Sequence, residues 1–251
     1  MTRTTLAALL ALLVLLPGHQ AAADPIAVRY TEGIARGFPV LRSLDGVVLA
    51  QGEMAQVPRG GGVIDSRLVF RFRDGSLHDE RVVFSQRDVF TLLSYRIVQR
   101  GPSFPETVEA SVDRATGRYD VRYRGDEDSP EETLTGEVTL PPDVYNGLLT
   151  TLMKNLPAGD SRVVQIVAFT PQPRLVKMLM APAAQDPVQV NEAAVMTTRF
   201  LVRPQLGLFA SLLITDVPDL KCWIAGGEAP AFVRFEGPLY FLGPVWRIDW
   251  S

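Results

Sequence analysis

Strand patterns, many of them alternating apolar and polar positions with a period of two, follow one another along the chain from Ile26 onward, and a single stretch interrupts them with helical spacing. Strands are read at about 26–36, 39–44, 47–57, 89–100, 106–113, 118–124 and 133–140. They resume after the break at about 162–170, 174–181, 187–203, 206–216, 221–225, 231–236 and 244–250, with short Gly-, Asp- and Pro-bearing turns between them. Leu206–Ile214, LGLFASLLI, fits a strand or a short helix equally well. The sharpest pattern is Ile64, Ser66, Leu68, Phe70 and Phe72 alternating with Asp65, Arg67, Val69, Arg71 and Arg73, followed by Asp74-Gly75. Read as a two-residue type I′ turn, Asp74-Gly75 sets Phe72 opposite Leu77, Phe70 opposite Asp79 and Leu68 opposite Arg81. Asp79 and Arg81 are then expected on the phenylalanine side, and a slip of one residue would exchange the faces of the second strand.

The break is LPPDVYNGLLTTLMKNLP, Leu140 to Pro157. Val144, Leu148 and Leu152, with Tyr145, Leu149, Met153 and Leu156, make two adjacent apolar rows at helical spacing, and Asn146, Thr150 and Lys154 make a polar row. Pro141 and Pro142 are tolerated in a first turn, Asp143 suits the positive end of the dipole, and Pro157 with Gly159 ends the element. A helix over about 141–155 is predicted. One wide-striped helix in a β-rich chain has to be buried against a sheet. The expected fold is therefore mainly β: a strongly curved antiparallel sheet or half-barrel, of about ten to thirteen strands, around one central helix.

Met1 to Ala23 has a different character: Arg3, an apolar run from Leu6 to Leu16, then Ala21-Ala22-Ala23. This reads as a secretory signal peptide cleaved before Asp24, too short in its apolar run to span a bilayer. Residues 24–251 then form a single β-rich domain in the periplasm or outside the cell, with no transmembrane helix after cleavage. Removing Arg3 takes the net charge from −3 to −4, so no basic footprint for nucleic acid exists. Cys222 is the lone cysteine, which excludes an intramolecular disulfide, and it reads as a small buried apolar residue.

Candidate chemistry is sparse. His19 leaves with the leader, so His78 is the one imidazole of the exported chain. Ser76, His78 and Glu80 resemble a triad on paper, but on a strand they project in parallel, whereas catalysis needs them to converge. His78 is instead expected near solvent beside Arg71 and Glu80. No catalytic residue, metal site or cofactor is assigned. The acidic loop Gly125–Glu132 lacks the glycine of an EF-hand and reads as a solvated turn. Met153, Met178, Met180 and Met196 fall on the helix and the strands after it, where they suit either an ordinary core or a pocket for a flexible apolar molecule.

The segments RLVFRFRDGSLHDERVVFSQ, VQRGPSFP, TLMKNLP, PRLVKM, WIAGGEAPAFVRFEGPLY and GPVWRI resemble an uncharacterised family of exported bacterial proteins of similar length. The likeness spans most of the exported chain and brings no activity with it. At the level of architecture, strands around a central helix are similar to the half-barrels of periplasmic lipoprotein carriers.

Strands from Arg162 to Met180 are apolar on both sides, and one helix stripe covers only one of them. The expectation is a binder of an apolar ligand such as a lipid acyl chain, lined by Met153, Met178, Met180, Met196, Phe70 and Phe72, with Asp79 and Arg81 on the head group. The alternatives are a structural or protein-interaction domain, an enzyme of unrecognised type, and an outer-membrane barrel, suggested by the alternating Trp246, Ile248 and Trp250. N-terminal sequencing of the exported protein is expected to begin at Asp24; an intact Met1 would overturn the leader assignment.

Overall fold

The computed structural model describes residues 25–126, 128–205 and 218–250. The leader and the strand expected at 206–216 lie outside them. Fifteen strands and one helix are found among the described residues. The first half holds β1 (Ala35–Gly37), β2 (Val40–Ser43), β3 (Val48–Pro58), β4 (Val63–Phe72), β5 (Leu77–Gln86), β6 (Phe90–Arg100), β7 (Thr107–Asp113), β8 (Arg118–Arg124) and β9 (Glu132–Glu137). After α1 (Leu149–Asn155) come β10 (Arg162–Thr170), β11 (Gln172–Val190), β12 (Ala193–Pro204), β13 (Leu220–Ala225), β14 (Ala231–Gly237) and β15 (Trp246–Asp249).

All the strands belong to one antiparallel sheet, in the order β10-β11-β12-β13-β14-β15-β2-β3-β4-β5-β6-β7-β8-β9, with β1 paired to β3. The C-terminal β15 pairs with β2, so the two halves of the chain are sewn together in the middle of the sheet and its edges come from mid-chain. The sheet curls because both ends bury residues against the same segment. Val82, Leu92, Tyr95 and Val112 from one side and Val164, Met178, Met180 and Phe200 from the other share one core with Val144, Tyr145, Leu148 and Leu152. Across the remaining gap the rings of Tyr95 and Phe169 stack, 6.4 Å apart and nearly parallel. The sheet does not close: β9 and β10 are not hydrogen-bonded to each other.

The helix is shorter than 141–155. Val144, Tyr145 and Leu148 are buried as the apolar stripe requires, but in an irregular conformation. The cause is a competing partner. Tyr145 N–H donates to the Gln165 carbonyl and Gln165 N–H to the Asp143 carbonyl, pairing this stretch in parallel with the β10 edge. Asn146 continues the pairing with its side chain: Nδ2 donates to the Val167 carbonyl and Oδ1 accepts from Val167 N–H, both at 2.8 Å. Gly147 then turns the chain at φ +69°, where a Cβ would meet Val82 at 3.2 Å. Arg114 anchors the segment from outside, donating to the carbonyls of Leu140 and Pro141 at 2.9 and 3.0 Å. Helix starts only at Leu149.

The β4–β5 register differs by one residue from the expectation. Phe72 N–H donates to the Ser76 carbonyl and Gly75 has φ +89°, so the loop is three residues, Arg73 to Gly75, with a glycine in the left-handed region. Phe70 consequently faces His78 and Leu68 faces Glu80. Ser76, His78 and Glu80 point to the phenylalanine side; Asp79 and Arg81 point away from it. The strands expected at 174–181 and 187–203 are also re-divided, since β11 runs unbroken to Val190 and turns at Asn191. Beyond the reach of β10, which begins opposite Met180, β11 has no strand partner on that side among the described residues. Pro182 and Pro187 lie on this portion, where a missing N–H costs no ladder bond on the open side.

Removing the Asn146 amide would leave a buried N–H and a buried carbonyl of Val167 without partners, a loss of about 1–3 kcal/mol for each group. Asn146→Ala is expected to lower the urea midpoint clearly. Asn146→Asp, which keeps an acceptor but loses the donor, should destabilise as well; an unchanged midpoint in both would refute the pairing.

Candidate functional site

The eight residues expected to line one pocket are dispersed. Met153, Met178 and Met180 are buried in the main core, at 2%, 4% and 0% exposure, where Met178 and Met180 fill it rather than surround a space. Phe70 and Phe72 belong to a separate cluster with Leu41, Phe104, Trp246 and Ile248. Asp79 and Arg81 lie on the outer face, where Arg67 grips Asp79 at 2.6 and 2.8 Å and Arg81 grips Asp65 at 2.6 and 2.9 Å. These pairs hold both carboxyl groups below the usual carboxylate range, chiefly by hydrogen bonding from the guanidinium, against the opposing effect of burial. Both side chains face away from the phenylalanine side of the sheet. The one-residue register change is the whole cause. Met196 is 59% exposed, far from the other methionines.

His78 is buried rather than near solvent, between the rings of Phe70 and Phe104. Gln99 Nε2 lies 2.9 Å from its Nδ1 and also donates to the Leu239 carbonyl at 2.7 Å. A carbonyl can only accept, so that Gln99 atom is a donor, and Nδ1 accepts from it. The proton sits on Nε2, leaving no free basic nitrogen beside Ser76, whose hydroxyl oxygen accepts from Ser103 N–H. Burial pulls the imidazole pKa down to about 4, with the nearby Asp79 carboxylate acting weakly the other way. Glu80 serves a different network, accepting from the Tyr95 hydroxyl at 2.8 Å, and burial raises its carboxyl pKa. The three residues do not form a catalytic unit.

Two concavities among the described residues bear on a binding site. The larger, about 950 Å3, is a groove over the outer face of β5 to β9, floored by polar and charged residues such as Arg81, Arg96, Ser111, Asp120 and Thr135. It has the alternating charge of a solvated sheet face, with Arg96 paired to Glu109 at 2.7 Å. The smaller, about 440 Å3, lies where the sheet outruns the helix. Its walls are Met153, Leu156 and Pro157 on the helical side and Pro182, Phe200 and Ile224 on the sheet. Ala183 and Ala184 leave its floor unfilled, at a register shift between Pro182 and Ala184 in the pairing of β11 with β12.

The mouth of this cleft is polar. Asn155 ends the helix and its Oδ1 accepts from the N–H groups of both Arg29 and Tyr30, at 2.8 and 2.7 Å, fixing the N-terminal strap across the opening. Arg29 stands over the Tyr30 ring, 5.8 Å from its centroid. Lys154 is ion-paired with Glu32, which is held in turn by Gln56 and Gln86. Met196 shares a strand face with Thr198 and Phe200, which line the cleft, two residues nearer the hairpin tip. Of the expected binding residues only Met153 lines this site. Leu156, Phe200, Ile224, Arg29 and Tyr30 are not among the binding residues expected from the sequence; the signal for them is the small-residue runs Pro182-Ala183-Ala184 and Ala225-Gly226-Gly227, which cannot fill the space before the helix end.

Folded His78 titrates near about 4, against about 6.5 for an unfolded imidazole. Between these values the unfolded chain binds the extra proton. The contribution of His78 to stability is thus complete above about pH 6.5 and is lost as pH falls toward about 4, with a slope of at most about 1.4 kcal/mol per pH unit. Glu80 acts in the opposite sense, so the readout is the difference between wild type and His78→Gln, which should lose this slope. In the chain from Asp24 onward His78 gives a single imidazole NMR signal, expected to show no titration between pH 5.5 and 8; a midpoint near 6.5 would contradict its burial.

No protein-family model matches this chain, and no curated protein or solved structure is significantly similar to it.

Proposed function

We propose that this is an exported binding protein that holds the apolar part of a small amphipathic molecule, such as a lipid acyl chain, in the cleft beneath the end of α1. The observation that carries this reading is the cleft itself: an apolar-walled space of about 440 Å3 with a polar mouth, within the range of small-molecule sites, roughly 300–1,000 Å3. The helix ends at Asn155 while β11 to β13 run on, and the cleft opens between them, walled on the sheet side by Phe200 and Ile224, which keep 6% and 4% of their surface exposed. The Ala21-Ala22-Ala23 leader supports export, and so does the resemblance to exported bacterial proteins. The architectural likeness to lipoprotein-carrier half-barrels is consistent with a curved sheet whose concave side carries the site. Among the described residues Ser76, His78 and Glu80 serve separate hydrogen-bond networks rather than a shared catalytic one. An outer-membrane barrel is disfavoured by a sheet that does not close and by an interior packed with apolar side chains rather than a polar lumen.

Protein purified without detergent is expected to retain lipid, visible as added mass in native mass spectrometry, and to take up a fluorescent fatty acid. Thr198→Trp, which fills the cleft from its partly exposed wall without entering the core, should reduce uptake by about ten-fold while leaving the thermal midpoint within a few degrees. A clean apo mass together with no uptake by the wild-type protein would leave a structural or protein-interaction role.

A further inference from the structure

Four large apolar side chains stand in solvent on two adjoining turns at the end of the sheet opposite the cleft. Leu44 and Val47, on the turn between β2 and β3, are 55% and 52% exposed; Phe241 and Leu242, on the turn entering β15, are 55% and 56% exposed. Ser43 pairs with Trp246 in the antiparallel β2–β15 ladder, which places the turn leaving β2 beside the turn entering β15. From Gly237 to Val245 the chain reads GPLYFLGPV and carries no charge.

This stretch is held from below. Leu239 and Tyr240 pack against the cluster of Phe104 and Trp246, the Leu239 carbonyl accepts from Gln99, and Gly243 N–H closes a turn onto the Tyr240 carbonyl. Phe241 and Leu242 are thereby pushed outward from a fixed base. Leu242 has φ +59°, a left-handed conformation that crowds the Cβ of an L-residue against its own backbone. Among the described residues no burial of its side chain offsets that cost.

The surroundings are basic in a chain whose net charge is −3. Arg42 donates to the Gly46 carbonyl on the first turn, and Arg73 N–H donates to the Leu49 carbonyl just beyond it. Arg71 and Arg100, both exposed, flank Leu77 on the neighbouring strands. Against them stand Asp45 on the tip and Asp74, whose carboxylate accepts from Ser76 N–H and the Ser103 hydroxyl.

We propose that this end of the sheet docks on an anionic lipid bilayer. Phe241, Leu242, Leu44 and Val47 enter the headgroup region and the arginine collar lies against lipid phosphates. Apolar tips ringed by cations are the composition of interfacial anchors, and contiguous apolar exposure of this kind is uncommon on soluble monomers without a partner. A second copy of the chain meets the same surface less well, because pairing would bring two basic collars together. β13 starts at this end and finishes at the cleft, so the docked protein presents the cleft to the aqueous side. The proposal stands independently of what the cleft holds.

Vesicle co-sedimentation tests it. The protein is expected to bind vesicles containing phosphatidylglycerol, to bind phosphatidylcholine vesicles weakly, and to be released by salt. Phe241→Asp with Leu242→Asp should lower the bound fraction about ten-fold. Leu242→Gly separates docking from packing: it relieves the backbone strain, so Tm should stay the same or rise while vesicle binding falls. No binding to anionic vesicles overturns the proposal. So does a lower Tm in Leu242→Gly with unchanged vesicle binding, or a concentration-dependent dimer that Leu242→Gly abolishes, which would assign the surface to a second copy.

Discussion

An antiparallel sheet of this width that does not close on itself has two edges, and the fold depends on how the edge at β10 is satisfied. The outward N–H and carbonyl groups of Gln165 and Val167 lie under the chain, so each needs a partner. The chain between β9 and α1 supplies them, first with the backbone of Asp143 and Tyr145 and then with the amide side chain of Asn146 acting as one more peptide unit. The same short stretch presents Val144, Tyr145 and Leu148 to both limbs of the sheet. Polar pairing at the edge and apolar burial in the middle are thus delivered by one segment, and it holds the sheet in a curl short of a barrel.

The price of that arrangement is helix length. The Asp143 carbonyl and the Tyr145 N–H cannot make helical i to i−4 bonds while they serve β10, and Gly147 turns the chain before α1 can begin. Seven helical residues cover only part of the concave face. Where α1 stops, at Asn155, the strands β11 to β13 continue with alanines and glycines facing the gap, and the cleft follows from this difference in length. The N-terminal strap closes one side of it because Asn155 accepts two of its N–H groups.

Polar residues are sorted by the same geometry. On the outer face of β4 to β6, acids and arginines lie across from one another and pair in partial solvent, where each pair contributes about 0–1 kcal/mol. On the inner face, Glu80 with Tyr95 and His78 with Gln99 are enclosed, and burial drives both titratable groups toward their neutral forms. A shift of one residue in the β4–β5 loop decides which of these two environments Asp79 or His78 occupies.

Period-two alternation fixed the β class and most strand positions, and the apolar rows of 140–157 identified the buried segment, because burial follows side-chain chemistry that is written locally. Cys222 was likewise legible as a buried apolar residue. Conformation within the buried segment was not legible. Whether Val144 and Tyr145 lie on a helix or against a strand edge depends on Gln165 and Val167, some twenty residues away, whose free hydrogen-bonding groups exist only once β10 has become an edge. The register after Asp74 was open for a similar reason: two- and three-residue loops both suit the turn sequence, and long-range packing of His78 under Phe104 selects between them. The cleft was the least visible feature. An empty volume has no residues of its own, and it arises from the mismatch between a helix shortened by tertiary hydrogen bonding and strands that were free to run on.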